Sequence, residues 1–351
     1  MSATVEEFAD RVFASALGAA EIYSIHIGDR LGLYRALIPE GKTSLGLAVE
    51  TGIDERYARE WLEQQATYGI VDVDLSGDDP VFTLPENHRE VLTDPASGSY
   101  LAPLARMFTT AGESMRLLLE AYRSGGGVSW DSFGHEMRES QADMNRPFFD
   151  NDLAGIFAGL GRVHELLTKP GARVADVGCG AGWSTLALAR AYPRATFRGF
   201  DIDLPSIDTA VQNTSEAGLG DRVTFSSDDI VTRTDTDDFD VAVAFECIHD
   251  MAQPVPVLAA MREMVADDGM VVIMDEAVGE AFSGEGDELE KLMYGFSILV
   301  CLPDGLSSKP SVGTGTVMRP ATLQAYAEQA GFTGFRPLTE AGFFRFYELA
   351  P

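Results

Sequence analysis

Cysteine is scarce in this chain. There are three among 351 residues, Cys179, Cys247 and Cys301, far apart and odd in number. That excludes a disulfide framework and fits no zinc site, so the thiols read as reduced, as in a cytoplasmic protein. Histidine is sparse too: none of the five stands at metal-ligand spacing from another or from a cysteine, so no metal is expected. Cations are few, with 26 Lys and Arg against 55 Asp and Glu and a formal net charge of −29. Nucleic-acid binding rests on neutralising phosphates with Lys and Arg, so this balance argues against a nucleic-acid partner. The longest like-charge runs are acidic, such as Asp235 to Asp240, and read as solvated surface. No apolar run is long enough to span a bilayer, so no membrane partner is expected. The first ten residues are acidic and lack the pattern of a secretory signal. No internal repeat or low-complexity segment is present. What remains is a globular chain long enough for two domains, with an ordinary hydrophobic content of 45%.

The most informative stretch is Arg173-Val-Ala-Asp-Val-Gly-Cys-Gly-Ala-Gly-Trp-Ser184. It reads as a short buried strand, a glycine turn and a helix from Trp183 to Ala191. Glycines allow a sharp turn and a close approach to a ligand, and the helix start offers unpaired N–H groups and a positive dipole end. A dinucleotide turn requires G-x-G-x-x-G. Here Gly178 and Gly180 fill the first two places, Trp183 fills the third, and Cys179 and Gly182 complete the turn. Asp176, two residues before the first glycine, would repel a pyrophosphate but suits the ammonium of a methionine moiety. The combination favours S-adenosylmethionine. About 20 residues past the turn, where a ribose diol is held, stands Asp201, followed by Ile202. A third strand over 222–230 is expected to carry Asp229 at its end, beside Ile230, placed to accept from an adenine amino group. Phe245, in the fourth strand, completes the expected cofactor contacts, and Trp183 and Phe200 read as walls of that pocket.

On these motifs residues 170–351 resemble a class I S-adenosylmethionine-dependent methyltransferase. The whole chain is similar to two-domain bacterial small-molecule methyltransferases of the O-methyltransferase type. The resemblance implies an α/β fold: a Rossmann-like, seven-stranded, mostly parallel sheet with an N-terminal helical winged-helix domain. Strands are expected near 173–177, 196–201, 222–226, 239–245, 269–275, 333–338 and 343–349. The last two are too close for a crossover helix, so they should pair antiparallel.

The N-terminal half predicts helices over 5–38 from its apolar spacing, then Thr43–Glu50 and Asp54–Gly69, joined at Gly52. A hairpin follows from Ile70–Leu75 and Val81–Leu84. Helix, helix, hairpin is the order of a winged helix, for which DNA binding is one use. Residues 1–100 hold 7 basic and 18 acidic side chains, a net of −11, which disfavours it. In the resembling methyltransferases this domain builds a homodimer. The domains are drawn at 1–95 (dimerisation), 96–168 (a helical linker and active-site roof) and 169–351 (cofactor binding). The middle part is read as one helix over 98–124, a loop over 130–134 and one helix over 150–167.

The fourth strand runs into Glu246-Cys-Ile-His-Asp-Met251. Ligands of open α/β sheets bind at the carboxyl ends of strands, so His249 is on the correct edge to act as general base toward an acceptor. The Ile-His-Asp-Met pattern resembles the His-Asp pair of small-molecule O-methyltransferases, in which the histidine is the base. Met251 departs from the tryptophan common there and leaves the substrate class open. Glu246 and Glu276, which ends the fifth strand, are the candidates to orient the ring or hold substrate, and Asp250 is expected to point away. Of the other histidines, His135 is best placed to reach the site. Residues 277–318 form a long insertion with the character of a lid. The expected reaction is methyl transfer to oxygen of a small-molecule acceptor. The alternatives are carbon methylation of an enolisable keto acid or quinone-type precursor, or a non-catalytic cofactor-sensing regulator.

Overall fold

The computed structural model describes residues 3–233 and 239–351, so most of the acidic run Asp235–Asp240 lies outside the described residues. The chain divides into two units: Met1–Glu113 with Glu139–Pro147, and Ser114–Arg138 with Phe148–Pro351.

The first unit opens with helix Val5–Arg30, started by a reciprocal capping box between Thr4 and Glu7. Only Ser24 and Gly28 of this helix are buried. Gly28 is required by space: a Cβ there would lie 2.5 Å from both Trp61 and Tyr34. Helices Leu33–Ala36, Ser44–Thr51 and Glu55–Thr67 follow, the last two capped by the side chains of Thr43 and Asp54. The hairpin is shorter than its apolar alternation suggests, β1 Asp72–Asp74 paired with β2 Val81–Thr83. Leu37, Leu47, Trp61, Leu62 and Phe82 form the core. Helix Glu86–Leu92 was not anticipated. Helix Ala102–Glu113 buries Arg106 against Asp29 (3.3 Å) and Asp143 (2.6 Å).

The second unit is built on a seven-stranded sheet in the order β5-β4-β3-β6-β7-β9-β8. Its strands are β3 Arg173–Val177, β4 Thr196–Phe200, β5 Val223–Ser226, β6 Phe239–Phe245, β7 Val265–Glu276, β8 Gly334–Ala341 and β9 Phe344–Ala350. Only β9 runs antiparallel to its neighbours, as the short connection before it requires. The strands of the parallel part carry near-continuous apolar runs because helices cover both faces. The chain goes outward from β3 to β4 and β5, then returns to place β6 on the other side of β3. The carboxyl ends of β3 and β6 therefore flank the topological switch point, where open α/β sheets bind ligands.

Several expected boundaries moved. The helix expected over 98–124 breaks at Ser114 into Ala102–Glu113 and Met115–Ser124. The loop expected over 130–134 is the start of helix Trp130–Phe148, which kinks at Gly134 (φ 74°, ψ −166°). The helix expected over 150–167 is interrupted at 159–161, giving a π-helical turn Phe149–Leu153, then Ala154–Ala158 and Arg162–Thr168. β7 begins earlier than 269: Val265 pairs with Phe239, and the register then shifts so that Met270 faces Val241, leaving 266–269 as an irregular bulge in β7. The 277–318 insertion is partly helical: Glu288–Phe296, Ser297–Cys301 and Leu302–Ser307.

Candidate active site

The turn after β3 is held open by backbone bonds. Gly178, Gly180 and Gly182 all have left-handed backbones, with φ of 71°, 51° and 80°. Two are also required by space: a Cβ at Gly178 would lie 2.6 Å from Cys247 Sγ, and one at Gly182 would lie 2.7 Å from Phe225. A Cβ at Gly180 would meet nothing within 4 Å, so that face of the turn is open to a ligand. The Gly178 and Cys179 N–H groups donate to the Phe200 carbonyl at 2.7 and 3.2 Å. Gly180 N–H donates to Asp201 Oδ2 at 2.9 Å, and Asp203 N–H donates to Asp201 Oδ1 at 2.9 Å. Asp201 thus ties the end of β4 to the glycine turn. Each of its oxygens takes one backbone bond and keeps capacity for more. Burial raises its pKa.

Asp176 is 1% exposed. Its Oδ2 accepts from Ser184 Oγ (2.7 Å) and Thr185 Oγ1 (2.6 Å) at the start of helix Trp183–Ala191. Its Oδ1 has no hydrogen-bond partner. Burial, offset in part by the two hydroxyls, pushes its pKa up to about 6. An unpaired buried carboxylate oxygen is costly and calls for a donor. Together with the open side of Gly180 and the spare capacity of Asp201, this oxygen fits a ligand carrying an ammonium and a diol.

The other expected cofactor contacts sit differently. Ile202 is 78% exposed. Asp229 is not at a strand end: β5 stops at Ser226, and Asp229 is an exposed loop residue whose Oδ1 caps Val231 N–H at 3.0 Å. Ile230 and Phe200 are buried in the core on one face of the sheet. Phe245 is buried on the other face, packed against Phe149, Phe157 and Phe346. Trp183 is half-buried at the head of its helix, against that same core.

The exit of β6 packs onto the exit of β3, where Cys247 Sγ donates to the Val177 carbonyl at 3.3 Å. His249, two residues on, is 2% exposed. Its Nδ1 lies 3.0 Å from both oxygens of Asp275 and 3.3 Å from Glu276 Oε2. Its Nε2 lies 3.3 Å from Asp250 Oδ1. Asp250 therefore faces the ring, contrary to the expectation from sequence. Asp275 was missed. It shares a strand end with Glu276, and side-chain alternation alone does not say which of two consecutive acids meets the ring. Burial opposes a charge on His249, but Asp275, Glu276 and Asp250 together hold its pKa well above the ordinary value. Burial pushes Glu276 well up and Glu246 up to about 8. Asp275 is held below its usual range by His249, against the effect of burial.

Donor atoms of two trios, His249–Asp275–Glu276 and His249–Asp250–Cys301, lie within 4.8 Å of one another. The metal-free expectation rested on spacing along the chain, which did not reveal these groupings. An imidazolium carries a proton on each nitrogen and has no lone pair for a metal, so an ion at either trio would have to displace a proton from His249. Of the other histidines, His164 Nδ1 meets Tyr192 OH at 3.0 Å, His88 Nδ1 meets the Ile70 carbonyl at 2.9 Å, and His135 is exposed.

Residues 168–301 match the family described as methyltransferase domain. Residues 19–94 match an Rv2258c-like winged helix-turn-helix domain. Among solved structures the chain is similar to the mitomycin 7-O-methyltransferase MmcR, with 22% identity, 98% of each chain covered and a TM-score of 0.75. It is also similar to human N-acetylserotonin methyltransferase, solved with its S-adenosylmethionine, with 16% identity, 100% and 99% coverage and a TM-score of 0.76. A curated relative, the methyltransferase ungE' of Aspergillus campestris, is 24% identical over 151 residues, which are 39% of this chain and 42% of that protein's length. These likenesses establish the fold, which the chain shares with S-adenosylmethionine-dependent methyltransferases, and the matched families give its make-up: a methyltransferase domain over residues 168–301 behind an N-terminal winged-helix domain.

Proposed function

We propose that the enzyme methylates a hydroxyl of a small-molecule acceptor, with His249 as general base. The observation that carries this reading is the buried imidazole at the switch point, oriented by Asp275 and packed one strand from the glycine turn. Asp176 would receive the ammonium, Asp201 the ribose hydroxyls and the open side of Gly180 the body of the cofactor. Ile202 and Asp229, on the neighbouring loops, would border its adenine end. When bound, S-adenosylmethionine supplies a methyl group activated on a sulfonium. The chain's own part is to bring the acceptor oxygen to His249 Nε2, displace Asp250 from it and take the acceptor proton, while Asp275 holds the ring and stabilises its charge. Glu276, buried, and Glu246, half-buried, are acids with raised pKa values, suited to donate hydrogen bonds to the acceptor.

A homodimer through the N-terminal unit belongs to the same reading. Val5, Phe8, Val12, Phe13 and Leu17 are exposed along helix Val5–Arg30, an apolar ridge that a second copy would cover. DNA reading is disfavoured. Helix Glu55–Thr67 holds Arg56 and Arg59 in ion pairs with Glu60 and Glu55 of the same helix, leaving them poor phosphate ligands.

The test is a screen of phenols, hydroxy acids and keto acids with the wild type, repeated with His249→Ala on whichever acceptor turns over. The variant should keep S-adenosylhomocysteine affinity and lose turnover. Full activity of the variant would remove His249 from the mechanism. Carbon methylation would be the outcome if only enolisable keto acids react.

A further inference from the structure

The Asp201 turn is gripped from outside by a cation, Arg138, that no sequence motif singles out. Asp203, two residues past Asp201, donates its N–H to Asp201 Oδ1 at 2.9 Å. Its carboxylate takes a two-pronged bond from Arg138, Nε to Oδ2 at 2.8 Å and a terminal nitrogen to Oδ1 at 2.7 Å. Both side chains are largely buried, at 11% and 14% exposure. The same carboxylate caps helix Leu204–Ala217 by accepting from Ser206 N–H (3.0 Å) and Oγ (2.7 Å). Arg138 is presented from a segment pinned at its other end. Val128 N–H donates to the Pro303 carbonyl at 2.9 Å, and Trp130 N–H donates to Asp304 Oδ1 at 2.7 Å. A Cβ on Gly127 would lie 2.1 Å from the Pro303 carbonyl, so the backbones are in direct contact there. Asp131 adds a third bond to Arg138 at 3.0 Å.

We propose that Arg138 is a positioning residue for cofactor binding: by clamping Asp203 it fixes the Asp201–Asp203 turn so that Asp201 faces the ribose with its geometry already set. A two-pronged guanidinium–carboxylate pair fixes direction as well as distance, which an ammonium does not. Arg138 is also the cation opposing the mutual repulsion of Asp201 and Asp203. Without it the two carboxylates would move apart and the turn would have to be ordered when the cofactor binds. The proposal rests on the reading that Asp201 holds the ribose.

The experiment is titration calorimetry of full-length protein with S-adenosylhomocysteine, using wild type, Arg138→Ala, Arg138→Lys and Asp201→Ala, with thermal melts of each protein free of cofactor. Arg138→Ala should weaken binding about tenfold, Arg138→Lys should weaken it less, and the cofactor-free melting temperature should change little. A merely structural role would give the opposite pattern, a lowered melting temperature with unchanged affinity of the folded protein. If the alanine variant does not fold, the lysine variant carries the test. Wild-type affinity in both arginine variants with weakened binding in Asp201→Ala would overturn the proposal alone. Wild-type affinity in Asp201→Ala as well would overturn the cofactor-site reading and this proposal with it.

Discussion

The glycine turn after β3 and the histidine cluster after β6 stand side by side on one sheet edge, but they are built by opposite means. The turn relies on backbone N–H groups, positive φ angles and two carboxylates, Asp176 and Asp201, that hold hydroxyl and backbone N–H donors. The cluster gathers Asp250, Asp275 and Glu276 around one buried imidazole, with Glu246 nearby in the same field. A site that must recognise a ligand can be rigid before the ligand arrives and still keep an unpaired acceptor such as Asp176 Oδ1. A site that must move a proton needs groups whose ionisation is closely balanced, and burial with like charges supplies that balance.

The comparison can be broken most decisively at the cluster. Replacing His249 by Ala should lower turnover about 10²–10⁴-fold with S-adenosylhomocysteine affinity retained; coupled loss of both would mean that the two regions are not separable. Asp275→Asn should reduce turnover by roughly 10–10²-fold. The wild-type rate should rise with pH on a limb above the ordinary histidine range, because the surrounding carboxylates hold the imidazole protonated. Removing the Asp275 charge lowers that pKa, so the limb should move to lower pH; a pH–rate profile unchanged in this variant would deny Asp275 its role.

At the turn the expected effects are smaller and fall on affinity. Asp176 carries a pKa of about 6 before a ligand binds, and its ionised form is the one that suits an ammonium. Cofactor affinity measured by calorimetry should therefore climb as pH rises through about 6 and level off above it, and Asp176→Asn should flatten that rise. The smallest effect on turnover is expected from Phe13→Asp, on the exposed ridge of the first helix. Light scattering should show this variant as a monomer where wild type is a dimer, and a monomeric wild type would dispose of the dimer.

The same contrast explains how much was legible in the sequence. Glycines at fixed offsets and an acid about 20 residues on leave a local trace, so Gly178, Gly180, Gly182 and Asp201 were readable, as was the strand–turn–helix that carries them. The cluster is assembled from two strand exits, 26 residues apart between His249 and Asp275, and only the sheet brings them together. Its histidine was legible from its place after β6, and its true acceptor was not. Asp229 was misplaced because β5 is only four residues long, and strand ends are set by ladder pairing with β4, which composition does not reveal. The break at Ser114 has a local trace in Gly112, two residues before it, whereas the helices within 277–318 were hidden by the length and mixed composition of the insertion.

Glu246 has a φ of 51°, alone among the described non-glycine residues in the left-handed region. That conformation costs a side-chain-bearing residue about 1–2 kcal/mol, and glycine would occupy it freely. Keeping a half-buried glutamate there is a standing debt against thermal robustness, set three residues from His249. Selecting this enzyme for heat tolerance alone should therefore favour glycine or asparagine at 246, and the survivors would be hardier proteins and poorer catalysts.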